Sequence, residues 1–170
     1  MLERLWNGWR SAYVQGGVEE SLHTDEGSVF TRILASGLDD IETNIVHRGT
    51  TCFAILNAFP YSTGHVLVLP YREVAELEDL SADEVAELWS TVTDAVVAIK
   101  RAYTPEGINI GVNLGKPAGG SISEHLHAHV VPRWTGDSNF MTAIANTRTL
   151  PEALVDTASR LRAAWPPPRS

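Results

Sequence analysis

The sequence predicts an α+β domain, an antiparallel sheet flanked by helices, and three observations carry that expectation. Two β-prone runs, Thr51–Asn57 and Gly64–Pro70, are separated by the turn residues Tyr61-Ser-Thr-Gly64, the pattern of an antiparallel pair. A stretch opening at Ser81 repeats apolar residues at helical spacing. Further on, strict alternation returns twice, the second time with histidines at every other position. With 170 residues, 44% hydrophobic and 20% charged, the chain has single-domain length and the makeup of a globular protein.

Residues 1–43 read as an N-terminal arm, with Trp6, Trp9 and Tyr13 followed by a glycine-rich polar span from Gly16 to Ser28. Residues 44–170 read as the domain. After the strand pair, Ser81-Ala-Asp-Glu84 is a capping box: the serine accepts from a backbone N–H and the glutamate reaches back to the cap. Val85, Leu88, Trp89, Val92, Val96 and Ile99 then follow helical spacing, and Thr104-Pro105 closes the helix. Ile108–Asn113 alternates as a strand whose polar face holds Asn109 and Asn113. A final helix is expected with Pro151 near its start and Pro166-Pro-Pro168 at its end. No internal repeat interrupts this order.

Composition narrows the function classes. A net charge of -8 disfavours a nucleic-acid backbone as partner. The one cysteine, Cys52, sits in an apolar run and cannot form an intrachain disulfide, which suits a reducing cytoplasm and a core-filling role. No apolar stretch approaches the ~20 residues that span a bilayer, so no membrane partner is expected. Met1-Leu-Glu-Arg-Leu-Trp6 lacks the layout of a signal peptide.

The chemistry concentrates in Glu124-His-Leu-His-Ala-His-Val-Val-Pro132. On a strand, His125, His127 and His129 would share one face while Leu126, Ala128 and Val130 anchor the other to a core. Imidazoles near neutral pH can attack, donate or carry protons, which suits an anionic substrate. The preceding loop, Asn113-Leu-Gly-Lys-Pro-Ala-Gly-Gly-Ser121, supplies glycines whose exposed N–H groups could cradle phosphate oxygens, with Lys116 and Ser121 beside them. A metal site is the competing reading. With a rise of about 3.3 Å per residue, His125 and His129 stand too far apart to meet on one ion without outside ligands. Glu124 would face the other way.

The run His125-Leu-His-Ala-His-Val-Val131 resembles the signature of the histidine triad family of nucleotide hydrolases and transferases. Phe53–Asn57 with Pro60–Pro70 resembles the family's first block, and Asn113-Leu-Gly115 with Ala118–Ser121 resembles its phosphate loop. Pro132-Arg-Trp-Thr-Gly-Asp137, continuing to Met141, is similar to members related to diadenosine tetraphosphate phosphorylases and to the fragile-histidine-triad branch. The resemblance implies a five-stranded antiparallel sheet with a long helix and a C-terminal helix. It further implies that His127 attacks the α-phosphorus of a dinucleoside polyphosphate to form a covalent nucleotidyl-histidine. His125 would hold the site, and His129 would contact phosphate and aid the leaving group. Asn57 would bind ribose, and Asn113, Gly119, Gly120 and Ser121 the phosphates. His65 reads as a structural hydrogen-bonder.

One departure bears on metal. Many bacterial relatives carry zinc on a Cys-x-x-Cys pair and a later histidine; here Ser28, Thr31 and Glu73 stand at those places. No structural zinc and no required cofactor are therefore expected. The acceptor stays open between water, which makes a hydrolase, and inorganic phosphate, which makes a phosphorylase. A nucleotide sensor with little turnover and a histidine metal-binding module are the alternatives from other classes. The resemblance also implies a homodimer or a larger even assembly, with the helix from Ser81 offering an apolar face.

Overall fold

The computed structural model describes residues 27–118, 122–137 and 152–168. Its elements run α1 (Val29–Ala35), α2 (Asp40–Thr43), β1 (Ile45–Arg48), β2 (Cys52–Leu56), β3 (Val66–Pro70), α3 (Ala82–Tyr103), β4 (Gly107–Val112), β5 (Ala128–Arg133) and α4 (Leu154–Ala164). Five strands form one antiparallel sheet in the order β1-β2-β3-β5-β4. The expected fold class holds.

Local chemistry explains the element boundaries. Asp39 and Glu42 form a capping box on α2, and Asn44 at φ 59° turns the chain sharply into β1. Gly64 takes φ 84° in the turn between β2 and β3, where a side chain would be strained. On α3 the Ser81–Glu84 box forms as the sequence predicts, and Thr104 in the left-handed region ends the helix. Glu84 gains a second partner, since Arg72 donates to both its carboxylate oxygens at 3.1 and 2.7 Å. That pairing holds the Glu84 carboxyl down at about 2.

Strand alternation sorts the core into two halves. Cys52, Ala54, Leu56, Val66, Val68, Leu126, Ala128 and Val130 face α3 and α4, meeting Leu88, Val92, Ile99 and Leu161. Ile45, Phe53, Ile55, Leu67 and Leu69 face the other way and are covered by Phe30 of α1. Each fully buried aliphatic or aromatic side chain is worth about 1.5–3 kcal/mol of apolar burial. Arg162 of α4 binds this end of the molecule together by donating to the carbonyls of Ile45, at 2.9 Å, and Asp40.

Two differences from the sequence reading follow. The packed body extends ahead of residue 44: α1 and α2 are ordered helices and Phe30 is 4% exposed. The polar, glycine-rich lead-in masked this short apolar helix. Residues 1–26 of the expected arm lie outside the described residues. Second, the histidine strand begins only at Ala128. His125 and His127 lie on the approach to it, with His125 at a bend. The sidedness nonetheless survives, because Leu126 and Ala128 still enter the α3-facing core.

Candidate active site

The site lies on the α1-facing side of the sheet, where β3 meets β5. His129 is opposite Leu67 in the register, so the period of two places His65 on the same face one step along. His127 and His129 rings stand 4.9 Å apart and nearly edge-on, and His65 and His129 rings are 5.2 Å apart. Phe30 packs 5.5 Å from both His125 and His127, so α1 forms the wall behind the first two histidines.

Hydrogen-bond partners assign a proton to each ring. His127 Nδ1 is 2.8 Å from the His125 carbonyl, which can only accept, so Nδ1 carries the hydrogen. Nε2 of His127 therefore holds the lone pair, the arrangement a nucleophile needs. The peptide supplying that carbonyl is pinned on its other side as well, since Leu126 N–H donates to the Val74 carbonyl at 2.7 Å. His125 Nε2 donates to the Pro70 carbonyl at 2.9 Å, leaving its Nδ1 to accept from the Ser28 hydroxyl at 2.7 Å.

The same reasoning runs through the second pair. Tyr61 N–H donates to His65 Nδ1 at 3.1 Å, with the Asn57 amide at 3.3 Å on the same nitrogen. His65 must then carry its hydrogen on Nε2, which donates to His129 Nδ1 at 3.0 Å. His129 accordingly presents an Nε2–H, facing Asn113 at 3.4 Å, so the amide oxygen of Asn113 belongs on that side. Burial keeps these rings neutral: His65 is pushed down to about 3, further lowered by His129 and His127. His129 is pushed down to about 4, by burial first and His127 second. Burial also lowers His125 and His127, against the opposing pull of the carbonyls they donate to.

Ser28, Thr31, Glu73 and His125 come together in one cluster. Ser28 N–H and Thr31 Oγ1–H both donate to Glu73 Oε2 at 2.7 Å, while Ser28 Oγ accepts from Thr31 N–H as the N-cap of α1. With the Ser28 proton given to His125 and the Thr31 proton to Glu73, the hydroxyl contact at 3.2 Å carries no hydrogen of its own. These donors do not fit zinc, whose structural sites take thiolate and imidazole in tetrahedral sets. Ser28 and Thr31 present neutral hydroxyls whose protons are committed to His125 and Glu73.

Of the residues singled out in the sequence, the structure gathers His125, His127, His129 and Asn113 in one place. Asn57 joins them through His65, its side-chain oxygen also accepting from Phe59 N–H at 2.9 Å. Gly119, Gly120 and Ser121 lie outside the described residues. The sequence reading did not place His65 against His129, nor Phe30 and Tyr61 in the site. Alternation counted back from Leu67 would have found His65. Phe30 and Tyr61 leave no comparable signal.

A sheet of this order, with three neutral histidines in alternation and the middle one presenting its Nε2 lone pair, is the arrangement of a histidine triad protein. The HIT domain model matches residues 39–136, and the chain belongs to that family. It is 44% identical over 170 residues to the AP-4-A phosphorylase of Mycobacterium tuberculosis, covering 96% of this chain and 85% of the relative. It is 32% identical to the asymmetrical bis(5'-nucleosyl)-tetraphosphatase of Schizosaccharomyces pombe, over 57% of this chain and 53% of that one. Among solved structures, a zinc-bound histidine triad family protein from Mycobacterium smegmatis superposes with a TM-score of 0.65 at 28% identity, covering 81% of this chain and 92% of that one.

Proposed function

We propose that the chain cleaves dinucleoside polyphosphates by nucleotidyl transfer, with His127 as nucleophile and inorganic phosphate as the acceptor. The observation that carries this reading is the His127 tautomer, set by the His125 carbonyl so that Nε2 is ready to attack. In the first step the Nε2 lone pair forms a bond to the α-phosphorus and the bridging oxygen departs with the rest of the substrate. The Nε2–H of His129, oriented through His65, stabilises the charge on that oxygen. Phosphate then attacks the same phosphorus, the P–N bond breaks, and its electron pair returns to His127. For diadenosine tetraphosphate plus phosphate the products are ATP and ADP. Phosphate as acceptor draws support from the mycobacterial relative's name.

The test is incubation with diadenosine tetraphosphate, with and without phosphate, reading products by mass. ATP plus ADP, formed only with phosphate, supports phosphorolysis; ATP plus AMP without phosphate replaces it with hydrolysis. A nucleotidyl adduct that is lost in His127→Ala separates the enzyme from a sensor or a metal-binding module.

Three further readings accompany this one. The Ser28–Thr31–Glu73 cluster supports a site without structural zinc, and about one zinc per purified chain would overturn it. A homodimer or larger even assembly is supported by Val85 and Trp89, exposed on α3, and by the edge strand β4, whose Ile110 is 47% exposed. Light scattering of the purified chain checks the assembly. A cytoplasmic location is supported by the lone, buried Cys52, and fractionation of producing cells tests it.

A further inference from the structure

A groove of about 250 Å³ opens beside His129 and runs across β5 and β4. Tyr61, Asn109, Gly111, Asn113, His129 and Arg133 line it. Its floor is flat because Gly111 has no side chain, and a Cβ built there would meet nothing within 4 Å. At the near end the Tyr61 ring lies almost parallel to His129, with centroids 5.9 Å apart. At the far end Arg133 donates to Asn109 Oδ1 at 2.9 Å and is held by Asp137 through contacts of 2.5 and 2.9 Å.

We infer that this groove receives the second nucleoside of a dinucleoside polyphosphate, the one carried away with the leaving group; this rests on the nucleotidyl-transfer reading above. Three features select that occupant. Asp137 neutralises Arg133, so the far end offers directional donors without the surplus positive charge that a bare phosphate chain needs. Amides, a guanidinium plane and an aromatic ring suit a base and a ribose, which present flat faces and hydroxyls. The volume is below the roughly 300–1,000 Å³ of sites that enclose a whole drug-sized ligand, so it fits one nucleoside moiety.

The experiment compares diadenosine tetraphosphate with adenosine 5'-tetraphosphate, which has the same number of phosphates and no second nucleoside. The wild-type protein is expected to show kcat/KM at least tenfold higher for the dinucleoside. Gly111→Leu fills the groove from an open position, and its ratio is expected to fall towards one; Arg133→Gln, a second variant at the far end, lowers it as well. A wild-type ratio near one, or a ratio unchanged in both variants, overturns the groove assignment while leaving nucleotidyl transfer standing. Turnover of neither substrate by the wild-type protein overturns nucleotidyl transfer and the groove with it.

Discussion

Replacing Ser28 by alanine should destabilise the protein more than a buried hydroxyl ordinarily does. Ser28 is 1% exposed, and its oxygen has two jobs: it caps α1 by accepting from Thr31 N–H, and it donates to His125 Nδ1. Loss of an N-cap costs about 1 kcal/mol. The second loss is heavier, because His125 is fully buried and its Nε2–H is committed to Pro70, so Nδ1 is left without a donor. An unsatisfied buried acceptor costs about 1–3 kcal/mol, for a total of about 2–4 kcal/mol. Thr31→Val provides the control: it removes the donor to the Glu73 carboxylate, at a more exposed place, and leaves the cap bond intact, so about 1 kcal/mol or less is expected. Urea denaturation followed by tryptophan fluorescence measures both, with the midpoint falling and the slope unchanged. A loss under about 0.5 kcal/mol for Ser28→Ala, the scale of an ordinary surface change, would refute the assignment of its proton to His125.

Three other outcomes are expected. His65→Leu removes the donor that orients His129, so kcat should drop by between about 10-fold and the ~10⁴-fold seen when a catalytic histidine is left in the wrong tautomer. His65→Gln, which retains a donor, should recover part of that activity, and steady-state kinetics on both variants decide the point. Stability should decline below pH 6.5. Above it, His65 and His129 are neutral in both folded and unfolded chains; below it, only the unfolded chain gains protons until the folded values of about 3 and 4 are reached. The slope is up to about 1.4 kcal/mol per pH unit for His65 and smaller for the more exposed His129. A Tm that does not change between pH 7.5 and 5 would contradict it. Leu161→Ala, at a fully buried position where α4 meets α3, should cost about 2–5 kcal/mol in chemical denaturation, and a cost under 1 would mean that α4 is not part of the core.

How much of this was legible in the sequence depends on the range of the interactions involved. The capping box at Ser81, the β2–β3 pair and the alternation through β4 are local patterns, and each appears where its residues predict. The two faces of the histidine run were legible for the same reason, although the strand itself starts three residues later than His125. Missing from the local pattern was α1, seven residues following a polar stretch, whose Phe30 makes sense only against Ile45, Phe53 and Leu67. The His65–His129 contact spans 64 positions and depends on how β3 pairs with β5. Conversely, Ser28, Thr31 and Glu73 were grouped by resemblance alone, and the structure does bring them together on His125. Their hydrogen bonds could not have been read from residue types.

The His125 peptide has a consequence for how this site tolerates change. The group that sets the His127 tautomer is a main-chain carbonyl, clamped by the bonds of its own peptide, and every amino acid carries one. Mutation can therefore alter how firmly that oxygen is held, but it cannot delete it. The side chains around it, the Ser28 hydroxyl and the Glu73 carboxylate among them, can therefore change while that oxygen stays in place. Through such changes His127 Nε2 keeps its lone pair, because the hydrogen stays on Nδ1 against the carbonyl.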